Sequence, residues 1–359
     1  MAPNPTLRDH KLLILLPIDV PASYLASLAA AFPDLTVTCR SQSWLSNTPP
    51  VPESAWSDIT LLLSYNTFPL PSQAPRLQCV QLQSAGAEHV LTHPLFLSPS
   101  VQFCTANGVH GPQISEWIIT TYLASTHQLP RFLSQQTKEE WDRGDLTTFD
   151  DAAQKTIGIL GYGAIGRQTA RVAVALGMRV HAYTLHPRET PESKREKSWA
   201  PPGMGDPQGE FPSAWFSGGT KADIHAFLAS GLDLLVIATP LTDGTRHLLS
   251  HEEFAVLAGV EKGKTFVSNV ARGPVVDTDA LMEALEKDWI KGAAVDVTDP
   301  EPLPEGHPLW KARNLIITPH VSGASKAYVE RVLAILKENL GRFSREEGLM
   351  NLVDKKRGY

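Results

Sequence analysis

The stretch KTIGILGYGAIGRQTARVAVALG, Lys155 to Gly177, constrains this chain more than any other. An apolar run, Thr156–Leu160, leads directly into Gly161, Gly163 and Gly166 in the pattern G-x-G-x-x-G. A run with helical spacing follows. The glycines alone are a weak signal; their place between a strand and a helix makes them informative. Gly161 permits a tight turn, Gly163 lets the backbone approach a pyrophosphate, and Gly166 lets the helix lie close to the strand. The helix then starts at Ala164 and Ile165, and its first N–H groups are available to phosphates. A strand, turn and helix of this kind are expected at the centre of a parallel sheet that holds a dinucleotide.

The flanking sequence keeps that rhythm. Strands are expected at Thr156–Leu160, Arg179–Thr184, Leu234–Ala238, Lys264–Asn269, Gly292–Asp296 and Asn314–Thr318, with helices between them. Six strands alternating with helices are what a dinucleotide-binding domain requires. The first hundred residues show a second βα series. KLLILLP, LTVTC, ITLLLSY and LQCVQLQ read as strands, and ASYLASLAAAF as a helix. From Gly111 a long amphipathic helix, GPQISEWIITTYLASTHQ, connects the two series. The last helix, SKAYVERVLAILKENLGRF, follows the completed second sheet and is expected to return to the first domain.

The fold class is therefore α/β, with two Rossmann-like domains. Residues 111–321 form a doubly wound, parallel-sheet dinucleotide-binding domain. Residues 1–110 and 322–359 form a smaller, discontinuous, flavodoxin-like substrate domain. Ala200 to Thr220 is rich in Gly and Pro, has no period, and reads as a surface loop inserted after the second strand.

Composition excludes several classes of function. At 359 residues the chain is too long for one ordinary core, which agrees with two domains. The formal net charge of −6 offers no basic field for nucleic acid or an anionic membrane. The opening apolar run before Pro17 is too short for a membrane span and lacks the layout of a signal peptide. Cys39, Cys79 and Cys104 are far apart and odd in number, so neither a disulfide framework nor a zinc knuckle is expected. Reduced thiols fit a cytoplasmic protein.

The second strand bears on cofactor choice. An NAD site usually carries an acid about twenty residues beyond the glycines, bonded to the adenine ribose. Here RVHAYT ends in Thr184, followed by His186 and Arg188, and the first carboxylate is Glu189. A 2′-phosphate meets a hydroxyl and a guanidinium there, and Arg binds phosphate bidentately. NADPH is the expected cofactor, with NADH as the second choice. The plainer reading of Arg188 is a solvated surface charge.

Three fragments of the second half, SNVARGPVVDTDAL, GAAVDVTDPEPLP and NLIITPHVSGAS, carry a resemblance. With QLQSAGAEHV, GYGAIG and ATPLTDGTRHLLS they resemble the D-isomer-specific 2-hydroxyacid dehydrogenases, in the right order over most of the chain. Within that family the chain looks most like the glyoxylate/hydroxypyruvate reductase group and its fungal relatives. The resemblance implies a catalytic set of Arg272, Glu301 and His320. Those roles make chemical sense. Arg272 binds the carboxylate of a 2-keto acid and polarises its carbonyl. His320 acts as general acid in reduction and as general base in oxidation. Glu301 bonds the other ring nitrogen, and a carboxylate partner is expected to raise the His pKa.

The resemblance extends to further contacts. Ala85 and Gly86 of SAGAEH match a loop whose backbone N–H groups hold the substrate carboxylate, and Asn107 matches a polar residue near the hinge. Thr239, Pro240 and Thr245 lie beside the cofactor, as does Gly323. Ala271 contacts the nicotinamide through its backbone, and Asp296 matches the residue that bonds its amide. Trp141 is either a packing residue or one that reaches a neighbouring subunit's site. The family is usually dimeric, so a homodimer is expected.

Two departures stand out. The missing acid after the second strand puts NAD in question, and Thr298 and Asp299 stand where a bulky residue and an acid are common. Formate dehydrogenase carries Gln at the position of Glu301, so Glu301 argues against that reading. A phosphoglycerate dehydrogenase usually carries the NAD acid that is missing here. An NAD(P)-sensing binding protein of the same fold is the alternative from another class. Glyoxylate, hydroxypyruvate, phenylpyruvate and branched 2-keto acids all stay open, with Tyr65, Asn66 and Trp310 as contacts for the substrate side chain.

Overall fold

The β-strand Lys11–Leu16 (β1) is buried along almost its whole length, and its side chains divide between two faces. Leu12, Ile14 and Leu16 join one hydrophobic cluster, and Leu13 and Leu15 join another. This is the two-residue period of a strand covered on both sides. The computed structural model describes residues 4–43, 51–261, 263–356 and 358. It divides into two compact units. One comprises Met1–Val109, Lys197–Pro201 and Lys326–Tyr359; the other comprises His110–Glu196 and Pro202–Ser325.

In the first unit β1 is followed by helix α1 (Ala22–Ala31), β2 (Thr36–Ser41), β3 (Leu61–Ser64), β4 (Cys79–Leu82), a short helix α2 (Pro94–Leu97) and β5 (Gln102–Cys104). The five strands are parallel in the order β2-β1-β3-β4-β5, the flavodoxin-like order. β5 has only three residues and was not among the expected strands.

The second unit opens with α3 (Gly111–Thr126) and α4 (Leu129–Thr137). Its sheet begins with β6 (Thr156–Leu160), α5 (Ala164–Ala175) and β7 (Arg179–Thr184). Next come α6 (Pro191–Lys194), β8 (Pro212–Ser217), α7 (Lys221–Leu228), β9 (Leu234–Ile237) and α8 (His251–Val260). The unit ends with β10 (Phe266–Asn269), α9 (Thr278–Glu286), β11 (Gly292–Val295) and β12 (Leu315–Ile317). All seven strands are parallel, in the order β12-β11-β10-β9-β6-β7-β8. The direction of winding reverses between β6 and β9, which is where open α/β sheets bind ligands.

The seventh strand corrects the sequence reading. β8 lies inside the stretch 200–220 that reads as a surface loop. Its PSAWFS run is only partly buried, pairs with β7 alone, and shifts register beside Val180 and His181. An edge strand so placed carries little hydrophobic alternation of its own. The chain makes an excursion at the start of this stretch. Lys197–Pro201 belong to the first unit, where Trp199 packs on its core. The Trp199 carbonyl fills the space of a Cβ on Gly108, whose φ is +97°.

The last helix, α10 (Tyr328–Ser344), also belongs to the first unit. Val332, Leu333, Ile335, Leu336 and Leu340 form its buried face and meet Leu12, Ile14 and Leu16 of β1. That spacing is one apolar stripe of an amphipathic helix.

Candidate active site

Because the second sheet is parallel, the ends of its strands bring the candidate residues to one edge. Gly161 follows β6, and its φ of +101° is open to glycine without strain. A Cβ there would lie 2.7 Å from the Ala238 backbone, just beyond β9, so the turn is wedged at the point of reversal. A Cβ on Gly166 would lie 2.5 Å from the Gly161 carbonyl oxygen, whereas one on Gly163 meets nothing within 4 Å. The three glycines thus do three different things. Gly163 caps α5 with no side-chain hydrogen bond, and the first turn, from Ala164 and Ile165, holds no acid. Open backbone at a helix N-terminus suits a phosphate. The chain's own residues therefore fit a dinucleotide.

Thr184 ends β7. Its hydroxyl donates to the His186 carbonyl at 2.8 Å, and His186 is exposed. Arg188 is half-buried. Its Nη1 donates to the Ser193 carbonyl at 2.6 Å, and its Nε is buried with no hydrogen-bond partner among the described residues. Ser193 lies in α6, which Thr190 caps with a reciprocal pair of bonds. The glycine turn is tied to this segment, because the Gly161 N–H donates to the Tyr183 carbonyl at 3.1 Å. Burial pushes the Tyr183 hydroxyl up to about 12, with the Asp223 carboxylate adding to the shift. It stays protonated and donates to the Gly218 carbonyl at 2.9 Å, joining β7 to the end of β8.

Beyond β9, the Thr245 hydroxyl donates to the Pro240 carbonyl at 2.7 Å and accepts from the Thr242 N–H at 2.7 Å. It closes the turn that carries Thr239 and Pro240. Beyond β10, Ala271 is buried and Arg272 partly so. Buried Asn269 organises both residues. Its Oδ1 accepts from the Ala271 N–H at 3.1 Å, and its Nδ2 donates to the Arg272 carbonyl at 3.2 Å. Arg272 Nη1 donates to the Ala271 carbonyl at 2.8 Å.

Gly273 brings the next loop close. A Cβ there would lie 1.8 Å from the Thr298 carbonyl oxygen, so only glycine lets the Arg272 and Glu301 loops meet. Pro300 and Pro302 flank Glu301 and fix two φ angles of its loop. Glu301 Oε1 lies 2.7 Å from His320 Nδ1, and both side chains are about half exposed. His320 has a left-handed backbone, φ +54°, and its N–H donates to the carbonyls of Asp296 and Thr318 at 2.8 and 3.0 Å. A non-glycine residue in this region is uncommon and is held there by its surroundings.

Asp296 does much of that holding. It is 2 % exposed. Its carboxylate accepts from Thr318 Oγ1 at 2.6 Å and from the N–H groups of Val321 and Ser322 at 2.8 and 2.9 Å. A nicotinamide amide would be a further partner on a carboxylate already committed to the His320 loop. Gly323 follows; its carbonyl accepts from Gln113 Nε2 at 3.0 Å, and a Cβ on it would crowd the His110 ring at 3.1 Å. Asn269 and Thr318 were not singled out in the sequence. Their only signal is a polar residue closing an apolar strand.

The remaining candidates lie elsewhere. Ala85 and Gly86 follow β4 in the first unit, where the Ser84 hydroxyl donates to the Gly86 carbonyl at 2.7 Å. Tyr65, Asn66 and Asn107 are in the same unit, and the Tyr65 carbonyl bonds the His89 ring at 2.7 Å. Trp310 is half exposed in the second unit and donates to the Pro304 carbonyl at 2.8 Å. Trp141 is 95 % exposed. No helix among the described residues is long and apolar enough to cross a membrane.

Comparison with known proteins decides the family. Residues 119–201 and 210–322 match the family model described as the NAD binding domain of D-isomer specific 2-hydroxyacid dehydrogenases. The chain belongs to that family. Its enzyme class is that of an NAD(P)-dependent 2-hydroxyacid dehydrogenase. A glyoxylate reductase of Aeropyrum pernix is 32 % identical over 302 residues, covering 82 % of each chain. Among solved structures, an NADPH-dependent glyoxylate/hydroxypyruvate reductase of Sinorhizobium meliloti, in complex with NADP and sulfate, is 26 % identical with a TM-score of 0.71. The match covers 98 % of this dehydrogenase and 100 % of that chain. A D-isomer specific 2-hydroxyacid dehydrogenase of Xanthobacter autotrophicus, in complex with NADPH and MES, is 26 % identical with a TM-score of 0.72. That match spans 98 % of this chain and 100 % of the other.

Proposed function

We propose that this dehydrogenase reduces a small 2-keto acid, of the glyoxylate or hydroxypyruvate kind, to the D-2-hydroxy acid with NADPH. The observation that carries the reading is the 2.7 Å contact between His320 and Glu301 at the ligand-binding edge of the sheet. The bound cofactor supplies the hydride from its reduced nicotinamide. Arg272 binds the substrate carboxylate and polarises the carbonyl. Glu301 accepts from Nδ1 of His320, so the acidic proton sits on Nε2. His320 delivers it to the carbonyl oxygen as negative charge develops there. Asp296 and Asn269 keep the His320 and Arg272 loops in place.

The cofactor choice rests on Thr184 and Arg188, and on the unpartnered, buried Nε of Arg188. The NADP and NADPH named with the two solved relatives agree with it. Thr239, Pro240, Thr245, Ala271 and Gly323 line the rest of the cofactor site. The small substrate follows the glyoxylate reductase relatives. A cytoplasmic homodimer completes the reading, in which the exposed Trp141 finds a partner surface.

The test is kcat/KM for NADPH and NADH with glyoxylate, hydroxypyruvate and phenylpyruvate in turn. Turnover favouring NADPH and a small keto acid is expected. Turnover favouring NADH overturns the cofactor reading and leaves the chemistry standing. No turnover, alongside tight NADPH binding, replaces the reading with a dinucleotide sensor.

A further inference from the structure

The family match breaks at residues 202–209, and this break contains a buried acid. Asp206 is 3 % exposed. Its carboxylate accepts from the Tyr162 hydroxyl at 2.7 Å and from the N–H groups of Glu210 and Phe211 at 2.9 and 3.2 Å. The neighbouring Gly205 is fastened to α5 in the same way. Its carbonyl accepts from Arg171 Nε at 2.7 Å, and its N–H donates to Gln168 Oε1 at 2.6 Å. This segment is built onto the helix that follows the glycine turn.

Arg167 is the centre of the arrangement. It directly follows Gly166 and is 3 % exposed. Nη1 donates to the Asp206 carbonyl at 2.6 Å, Nη2 donates to the Lys194 carbonyl at 2.7 Å, and Nε lies 2.7 Å from Glu196 Oε2. The guanidinium also stands 5.0 Å from the Tyr162 ring centroid. A cation buried this deeply persists only where it is paired and hydrogen-bonded. Lys194 is the last residue of α6, and the carbonyl just before it, on Ser193, accepts from Arg188 Nη1. A continuous run of bonds therefore leads from the glycine-turn helix to Arg188.

We propose that Arg167 is a positioning residue for cofactor choice. Its planar fork fixes α6, α6 fixes Arg188, and Arg188 is thereby presented to the 2′-phosphate. The inference rests on the phosphate-reading role given to Arg188 above. Lysine cannot substitute, because a single ammonium does not reproduce two planar hydrogen bonds beside an ion pair.

The test is calorimetric binding of 2′,5′-ADP and of 5′-AMP, the phosphorylated and unphosphorylated halves of the cofactor. It uses the full chain and the variants Arg188→Ala, Arg167→Lys and Glu196→Gln, with circular dichroism to verify folding. Arg188→Ala should weaken 2′,5′-ADP about ten- to a hundredfold, as expected for a charged hydrogen bond. Arg167→Lys and Glu196→Gln should each lower the ratio of 2′,5′-ADP to 5′-AMP affinity about five- to tenfold. Glu196→Gln keeps the shape of the pair, so it carries the test if Arg167→Lys does not fold. An equal loss for both fragments, or an unchanged ratio, overturns the proposal. If Arg188→Ala lowers the ratio and neither clamp variant does, the clamp alone fails. If Arg188→Ala leaves the ratio unchanged, the phosphate reading fails and takes the clamp with it.

Discussion

The Asp296 carboxylate and the Ser322 N–H lie 2.9 Å apart, and this bond anchors the chain two residues beyond His320. The same carboxylate reaches Thr318, two residues before His320, at 2.6 Å. His320 therefore sits at the apex of a loop pinned on both sides by one buried acid. Asp296→Asn places an amide N–H₂ against donors. It should cost about 1–3 kcal/mol of stability for the bond left unmade. It should also lower kcat about ten- to a hundredfold through misplacement of His320. Urea unfolding and steady-state kinetics on the same preparation check both. An unchanged kcat removes Asp296 from the support of His320.

His320→Ala removes the proposed proton donor and leaves the glycine turn intact. Turnover should fall about 10²- to 10⁴-fold, the usual contribution of a positioned acid. NADPH affinity, read by fluorescence titration, should stay near that of the parent. Turnover equal to the parent's eliminates His320 as the acid.

Gly273→Ala tests the meeting of the Arg272 and Glu301 loops. The added carbon would lie 1.8 Å from the Thr298 carbonyl oxygen, so one loop must retreat. A stability loss of about 1–3 kcal/mol is expected for such overpacking. kcat/KM for the keto acid should fall together with it. A variant as stable and active as the parent means that the two loops tolerate separation.

Stability should also depend on pH through three imidazoles. Burial lowers the pKa of His10, His93 and His181 from the ordinary value of 6.5. Below that value the unfolded chain takes up protons that the fold refuses. The unfolded state then binds more protons, so stability is fullest above pH 6.5 and is lost as the pH falls through it. Urea midpoints measured from roughly pH 8 down to pH 5.5 should decline on the acid side. A flat profile contradicts the burial argument.

The sequence made the sheet of the second unit readable because most of its strands are short runs buried on both faces. β6, Thr156–Leu160, and β7, Arg179–Thr184, lie where the apolar pattern places them. β8 escaped because an edge strand pairs on one side only and its flanks are Gly- and Pro-rich. Arg272, Glu301 and His320 were picked out by the family resemblance, and each stands a few residues beyond a strand end. Their supports were not. Asp296 was read as a cofactor contact, yet three of its bonds go to its own protein, across gaps of 22 to 26 residues. Asp206 sits in a stretch without apolar pattern, and its burial depends on Arg167, 39 residues earlier. Partnerships at such a distance leave no local period to read.

The place of α10 has a consequence for the order of events during synthesis. The ribosome makes β1 to β5 first, but the helix that covers Leu12, Ile14 and Leu16 is made only after the whole second sheet. The usual rule that N-terminal domains fold first is then inverted. The second unit can close its core while the nascent first sheet still shows an apolar face. Leu28 of α1 and Phe32 just after it cover part of that face early, and the rest is covered only when Val332 to Leu340 emerge.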